Sequence, residues 1–482
     1  MNSYWRGILA AVAATLTLAG AEGPKAGDLT VEPYTFLTEG GTTVAAELGH
    51  LAVPQNRSTP DGPVATIVFV RFRSTSAIPG PPIFYLAGGP GASGIDDARG
   101  DLSTTVAALQ TAGDVIVIDQ RGTGMSTPDL NAHSTFGVAP GEPIASPAAI
   151  ASLEASLQKA AGDLRDRGID LSSYNTNESA DDLELLRAAL GVDRVRIWAH
   201  SYGTHLALAF VRRHEASVDR IVMGGVNGPD HRWRLPADAD RLFARLGVLV
   251  QADPRWGPRI PDLRALVSQV LAGLADRPVS VTVPTGPGTS TIVTLGKEDL
   301  QVLTALELGD IDFIRAIPAL FFGMANNNFS TPAAILLALK ASEIGPAVRY
   351  TMHCASGVSA ERLALIDTQK DGALLGNAIN FPFADPRVCE AWNAGDLGPE
   401  FRMPVTSSVP ALFVSATLDG RTSLEDAAEV RGGFPNSVAV LLENVSHGRM
   451  FSSSPDLTRV MLDFFLGKPV NDQTITLPFS FQ

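Results

Sequence analysis

The segment Val195-Arg-Ile-Trp-Ala-His-Ser201-Tyr-Gly-Thr-His-Leu-Ala-Leu carries a β-branched and aromatic stretch into a serine and then into a helix-forming stretch. A serine on such a strand-to-helix turn exposes its hydroxyl and sets the next backbone N–H, that of Tyr202, at a helix N-terminus. The turn demands small residues two positions before and after. Gly203 meets that demand, and Ala199 stands where glycine is commoner. A hydroxyl is too weakly acidic to attack at neutral pH unaided, so Ser201 needs a base. His200 and His205 flank it and are expected to be packing or hydrogen-bonding neighbours, while His50, His133, His214, His231 and His353 fall at no suitable strand end. His447, in Glu443-Asn-Val-Ser-His447-Gly448, follows the last expected strand and precedes the last expected helix. An acid must then hold the imidazole's tautomer and stabilise its charged form. Ala411-Leu-Phe-Val-Ser-Ala-Thr-Leu-Asp419-Gly420 supplies it, although Asp-Gly at a strand end also forms plain turns. The order Ser201, Asp419, His447 is that of a nucleophile, acid and base used in acyl transfer.

A tetrahedral intermediate needs a second backbone donor beside Tyr202. Ile83-Phe-Tyr-Leu-Ala-Gly88-Gly89-Pro90-Gly91-Ala-Ser-Gly94 offers one, and Gly89 is the expected donor, because glycine lets main chain approach without a side chain in the way. Gly89, Gly91 and Gly94 also satisfy G-x-G-x-x-G after a strand, with Asp119 ending the next strand, so a dinucleotide unit competes here. Antiparallel strands ahead of this segment and a complete nucleophile set behind it favour the hydrolytic reading.

The elements that must position these residues follow from hydrophobic pattern. Thr43 to Val53 and Thr66 to Phe72 are expected as an antiparallel opening pair after a polar leader. Buried strands then alternate with helices: Ile83–Ala87, Val115–Asp119, Val195–Ala199, Arg220–Gly224, Ala411–Ala416 and Val438–Leu442, with helices at Ser179–Leu190, Tyr202–Arg213 and Pro455–Phe465. That alternation predicts an α/β protein with a mainly parallel sheet covered on both faces. Between Gly224 and Ala411 it gives way to helix-like pieces such as Leu263–Leu274 and Pro332–Ala341. The expected domains are therefore a signal peptide at 1–21, a first core part at 22–225, an inserted mostly helical cap at 226–400 and a second core part at 401–482.

The length of 482 residues exceeds one ordinary domain, in keeping with a core plus an insertion. With 37 basic against 51 acidic residues the net charge is −14, and no basic run could track a phosphate backbone, which speaks against nucleic acid as a partner. The apolar stretch from Ile8 to Ala19 ends at Ala19-Gly20-Ala21, a small-x-small cleavage pattern. It falls well short of the ~20 residues that span a bilayer, so export with cleavage is favoured over an anchor. Cys354 and Cys389 are the only cysteines. In an exported chain they are expected as a disulfide within the cap, two buried thiols being the competing reading. Without clustered histidines they make a poor metal site, and neither metal nor cofactor is expected.

Taken together, Gly88-Gly-Pro-Gly91, Asp119-Gln-Arg-Gly-Thr-Gly124 with Ser126, Asp182-Leu-Glu-Leu-Leu-Arg187, the Ser201 turn, Asp419 and His447 resemble the proline iminopeptidase and tripeptidyl-aminopeptidase group of α/β-hydrolases, a serine peptidase family. The resemblance implies hydrolysis of short peptides from the N-terminus, with the cap holding the free amine by carboxylates. Asp230, Glu307, Asp310 and Asp312 are the candidate acids, each more readily a helix-surface carboxylate. Ala87 departs from the pattern, since iminopeptidases often carry histidine there. A carboxylesterase acting on small acyl esters with the same three residues is the alternative.

Overall fold

The computed structural model describes residues 24–59, 61–131 and 134–482. The expected signal segment and His133 lie outside the described residues. Among the described residues there are twelve strands: β1 Leu29–Leu37, β2 Thr43–Pro54, β3 Val64–Phe72, β4 Gly80–Leu86, β5 Gly113–Asp119, β6 Val195–His200, β7 Val218–Gly224, β8 Val279–Gly286, β9 Thr289–Leu295, β10 Ala411–Ala416, β11 Ser437–Glu443 and β12 Gln473–Thr476. Ten form one sheet in the order β1-β2-β3-β5-β4-β6-β7-β10-β11-β12. Pairing is antiparallel from β1 through β3 to β5 and parallel from there on.

The central strands are apolar almost throughout because both faces are covered. Phe84, Ile116, Ile197 and Phe413 face a core shared with helices Pro147–Asp166, Thr176–Ala189 and Tyr202–His214. Tyr85, Val117, Trp198 and Leu412 face the opposite core, closed by helices Ser103–Leu109 and Pro455–Phe465. The strands expected from pattern are present, with no end shifted by more than three residues. β1 was expected as polar leader; its side chains are mostly exposed and only Phe36 is buried, so the edge strand carries little apolar signal.

A third core lies within the segment expected as a cap. Helices Pro236–Ala252, Leu263–Asp276, Lys297–Glu307, Ile311–Ala325 and Ser330–Ala341 pack around Leu242, Phe243, Leu303, Ile317 and Phe321. The β8–β9 hairpin belongs to this unit, an antiparallel pair inside a region expected to be mostly helical. Helices Ala347–Ser356 and Pro386–Trp392 behave differently, since Val348, Tyr350 and Trp392 join the core on the sheet's face. Cys354 and Cys389 are bonded to each other across these two helices. The bond therefore ties down a sheet-covering layer, where the sequence suggested stiffening of a separate cap. After β12 the tail crosses to the third core, packing Phe479 and Phe481 there. Gln482 donates its backbone N–H to the Arg315 carbonyl at 3.1 Å and accepts from the Trp256 indole at 3.2 Å.

Candidate active site

Ser201 follows β6 directly and adopts φ 54, ψ −122 at the start of helix Tyr202–His214. A side chain with φ in this region is strained, and the surroundings show why the turn holds. A Cβ at Gly203 would lie 2.0 Å from the Leu86 carbonyl oxygen, and one at Gly88 would lie 3.0 Å from Ser201 Cβ. The approach at Gly203 thus admits only glycine, and a side chain at Gly88 would force Ser201 to give way. Ala199 is fully buried between Leu86 and Met223 of the neighbouring strands.

The Ser201 hydroxyl lies 2.8 Å from His447 Nε2, and His447 Nδ1 lies 2.8 Å from Asp419 Oδ2. The three residues sit after β6, β11 and β10, at the carboxyl ends of parallel strands. Asp419 also accepts from the Thr422 hydroxyl at 2.7 Å and from the backbone N–H groups of Arg421 and Thr422 at 2.7 and 2.9 Å. Burial by itself would push the Asp419 carboxyl up; the adjoining His447 and the Thr422 bonds outweigh it and hold the group below the usual carboxylate range. Gly225, at φ +61, leaves room for the His447 ring, since a Cβ there would lie 2.9 Å from Cε1. His200 packs beside His447 with ring centres 4.9 Å apart. Burial first, and His447 second, pull the His200 imidazole down to about 3, so it stays neutral in this role. His205 is buried against the Gly228 carbonyl and the Ser356 hydroxyl.

The backbone N–H groups of Gly89 and Tyr202 make no hydrogen bond among the described residues, as a site awaiting an oxyanion requires. The loop bearing Gly89 is braced by the next one. Asp119 accepts from the Ser93 hydroxyl at 2.7 Å, from Ile95 N–H at 3.2 Å and from Met125 N–H at 2.8 Å. Gln120 donates to the Ala87 carbonyl at 3.2 Å, and Ser126 to the Asp119 carbonyl at 2.6 Å. Arg121 is buried and forks onto Asp182 at 2.8 and 2.7 Å. Both oxygens of Asp119 are thereby engaged by protein, and Pro346 and Val348 fill the space at Gly91, so these glycines form no open dinucleotide cradle.

Gly89, Pro90 and Gly91 border a cleft of about 490 Å³ whose other walls include Phe136, Leu306, Phe381, Arg349 and Arg421. Of the four candidate amine-binding acids, three hold local structure. Asp230 accepts from Ser359 N–H at 2.8 Å, Asp310 caps helix Ile311–Ala325 by accepting from Asp312 and Phe313 N–H, and exposed Asp312 pairs with Arg315. Glu307 is half-buried and without a salt bridge among the described residues; burial, then Asp310, push its carboxyl up. One metal-compatible group occurs among the described residues, His231, Asp426 and Glu429, but His231 Nδ1 accepts from Gly228 N–H, Asp426 from Arg362, and Glu429 lies against His231 Nε2. Thr422 escaped notice in the sequence, although a hydroxyl three residues after an aspartate is a turn signal that could have flagged it.

A family model described as the alpha/beta hydrolase fold matches residues 81–262. Together with the sheet order and the serine turn, that decides the matter. The chain has the α/β-hydrolase fold. A second model, for TAP-like protein, matches residues 379–474 of this α/β-hydrolase and contains both Asp419 and His447. Serine protease Hip1 of Mycobacterium tuberculosis is 31% identical over 38% of this chain and 36% of its own length. Tripeptidyl aminopeptidase of Streptomyces coelicolor is 29% identical over 39% of this chain and 36% of its own length. The α/β-hydrolase thus aligns with about a third of the length of these curated relatives. Proline iminopeptidase of Mycobacterium smegmatis superposes with a TM-score of 0.40 at 16% identity, covering 86% of this chain and 97% of that one.

Proposed function

We propose that this α/β-hydrolase is an exported serine hydrolase that cleaves short peptides from their N-terminus through an acyl-enzyme. The observation that carries the reading is the hydrogen-bonded run from Ser201 through His447 to Asp419, each contact at 2.8 Å. In this reaction Ser201 Oγ attacks the scissile carbonyl carbon while His447 Nε2 takes its proton. Asp419 stabilises the imidazolium, and the N–H groups of Gly89 and Tyr202 receive the oxyanion. The carbon–nitrogen bond then breaks as His447 returns the proton to the leaving amine. Water, deprotonated by His447, attacks the ester; the bond to Ser201 Oγ breaks as His447 returns the proton to that oxygen, and the acid is released. The relatives named serine protease and tripeptidyl aminopeptidase support the choice of peptides. Glu307 is the acid left to receive a substrate ammonium. Export is supported by the Cys354–Cys389 bond. No helix among the described residues is long and apolar enough to cross a membrane.

The same three residues would hydrolyse small acyl esters, and the structural commitment of Asp230, Asp310 and Asp312 favours keeping that reading in view. One panel tests both: a peptide anilide with free and acetylated N-terminus, beside a short-chain nitrophenyl ester. A charge-assisted contact of about 1.5–3 kcal/mol predicts roughly a ten- to hundredfold loss on acetylation. If acetylation changes nothing while the ester turns over far faster, the esterase reading replaces the aminopeptidase one.

A further inference from the structure

Four arginines from three stretches of chain lie close enough to act on one another: Arg232 and Arg234 after β7, Arg349 on helix Ala347–Ser356 and Arg421 after β10. Arg349 and Arg421 line the same cleft as Gly89. A Cβ built on Gly309 would lie 2.9 Å from Arg421 Cγ and 3.8 Å from His447 Cβ, so the Arg421 stem passes alongside the base. Arg232 lies over the Tyr202 ring at 5.5 Å and donates to His353 Nδ1 at 3.4 Å, while its buried Nε has no hydrogen-bond partner. Arg234 reaches the Ile379 carbonyl at 3.4 Å, and Arg421 reaches the carbonyls of Ala305 and Leu306 at 3.2 and 3.4 Å.

None of the four, each half-buried, makes a salt bridge among the described residues, whereas the buried Arg121, Arg196 and Arg362 are paired with Asp182, Asp219 and Asp426. Asp419 is committed to His447 and Thr422, Glu307 is half-buried near Arg421, and Glu343 is exposed at the cleft's edge. Burial above all lowers Arg232 and Arg234 to about 10, and Arg234 above all, then burial, lowers Arg421, the direction that crowding of like charges imposes. Clustering like charges in partly desolvated space is unfavourable unless a counter-charge arrives.

We infer that these arginines receive a carboxylate of the substrate beside the scissile carbonyl. The planar guanidinium fork suits a carboxylate, and its fixed geometry would orient the reacting bond. The inference rests on the hydrolase reading of Ser201 and deepens it, since it sets the charge of the preferred substrate. The carboxylate belongs either to an acidic side chain or to a free C-terminus.

Matched pairs distinguish the two sources: glutamyl against glutaminyl nitroanilide, and the dipeptide Ala-Ala against its C-terminal amide. In one pair the acid is expected to exceed its neutral partner at least about tenfold in kcat/KM, the scale of a charged hydrogen bond. Arg349→Gln and Arg232→Gln should abolish that ratio by raising KM for the acid, and Arg349→Lys should restore part of it. Equal rates within both pairs overturn the inference. Glutarate binding to Ser201→Ala, measured by calorimetry, needs no turnover and should weaken at least about tenfold in Arg349→Gln. Fluorophosphonate labelling of Ser201 with equal rates in both pairs refutes the arginine role alone. Glutarate held through the arginines in a protein that resists labelling would refute the hydrolase reading and keep the anion site.

Discussion

Ser201 is held where few side chains sit, and its reach to His447 depends on that strained turn. If the three residues act as a unit, Ser201→Ala, Asp419→Asn and His447→Ala should each lower turnover by several orders of magnitude without adding when combined. Steady-state kinetics of single and double variants check this. Asp419 adds a pH-dependent term. Its folded carboxyl lies below the unfolded value of about 3.9, so its stabilisation is full above that value and is lost as pH falls through the folded one. The advantage of the wild type over Asp419→Asn in urea unfolding should shrink between about pH 5 and pH 2. An advantage that grew in acid would contradict the sign. The serine, acid and base were legible in the sequence because each directly follows a patterned strand. The arginines were not: they meet across nearly two hundred positions, and only the Arg232-x-Arg234 spacing is local.

At the scale of elements, the loop after β5 explains why Asp119 to Ser126 form a motif: it braces the loop that carries Gly89. Gly124 sits at φ +52, and a Cβ there would lie 2.0 Å from Asp119 Oδ2. Gly124→Ala should therefore destabilise the fold by about 1–3 kcal/mol and slow turnover, because the displaced carboxylate releases Ser93 and Met125. Thermal melting and kinetics on one preparation test both effects. Reducing the Cys354–Cys389 bond should cost about 2–4 kcal/mol, chiefly by freeing the unfolded chain. Parallel strands stood out in the sequence because burial on both faces makes them continuous apolar runs. β1, β12 and the β8–β9 hairpin were obscured because most of their side chains face water.

Across the whole molecule, the chain leaves the sheet after β7 and returns at β10, and the intervening residues divide between a separate core and a layer on the sheet. Length and pattern announced an insertion, but no local signal could tell which of its helices would lie on the sheet. That choice depends on distant partners such as Trp392 packing against Tyr350. If the leader is removed on export, intact mass should place the mature start near Glu22 and show no free thiol until reductant is added.

The tail's attachment has a consequence for what can enter. The separate core connects to the sheet where the chain leaves and where it comes back, Ile144 inserts into it and donates its N–H to Asp299, and the stretch ending in Phe479, Phe481 and Gln482 adds a further tether. A roof fastened at all of these places is expected to swing little. If the cleft receives the substrate, it would then sort by cross-section, admitting slim, unstructured ends and turning away folded neighbours whatever sequence they display.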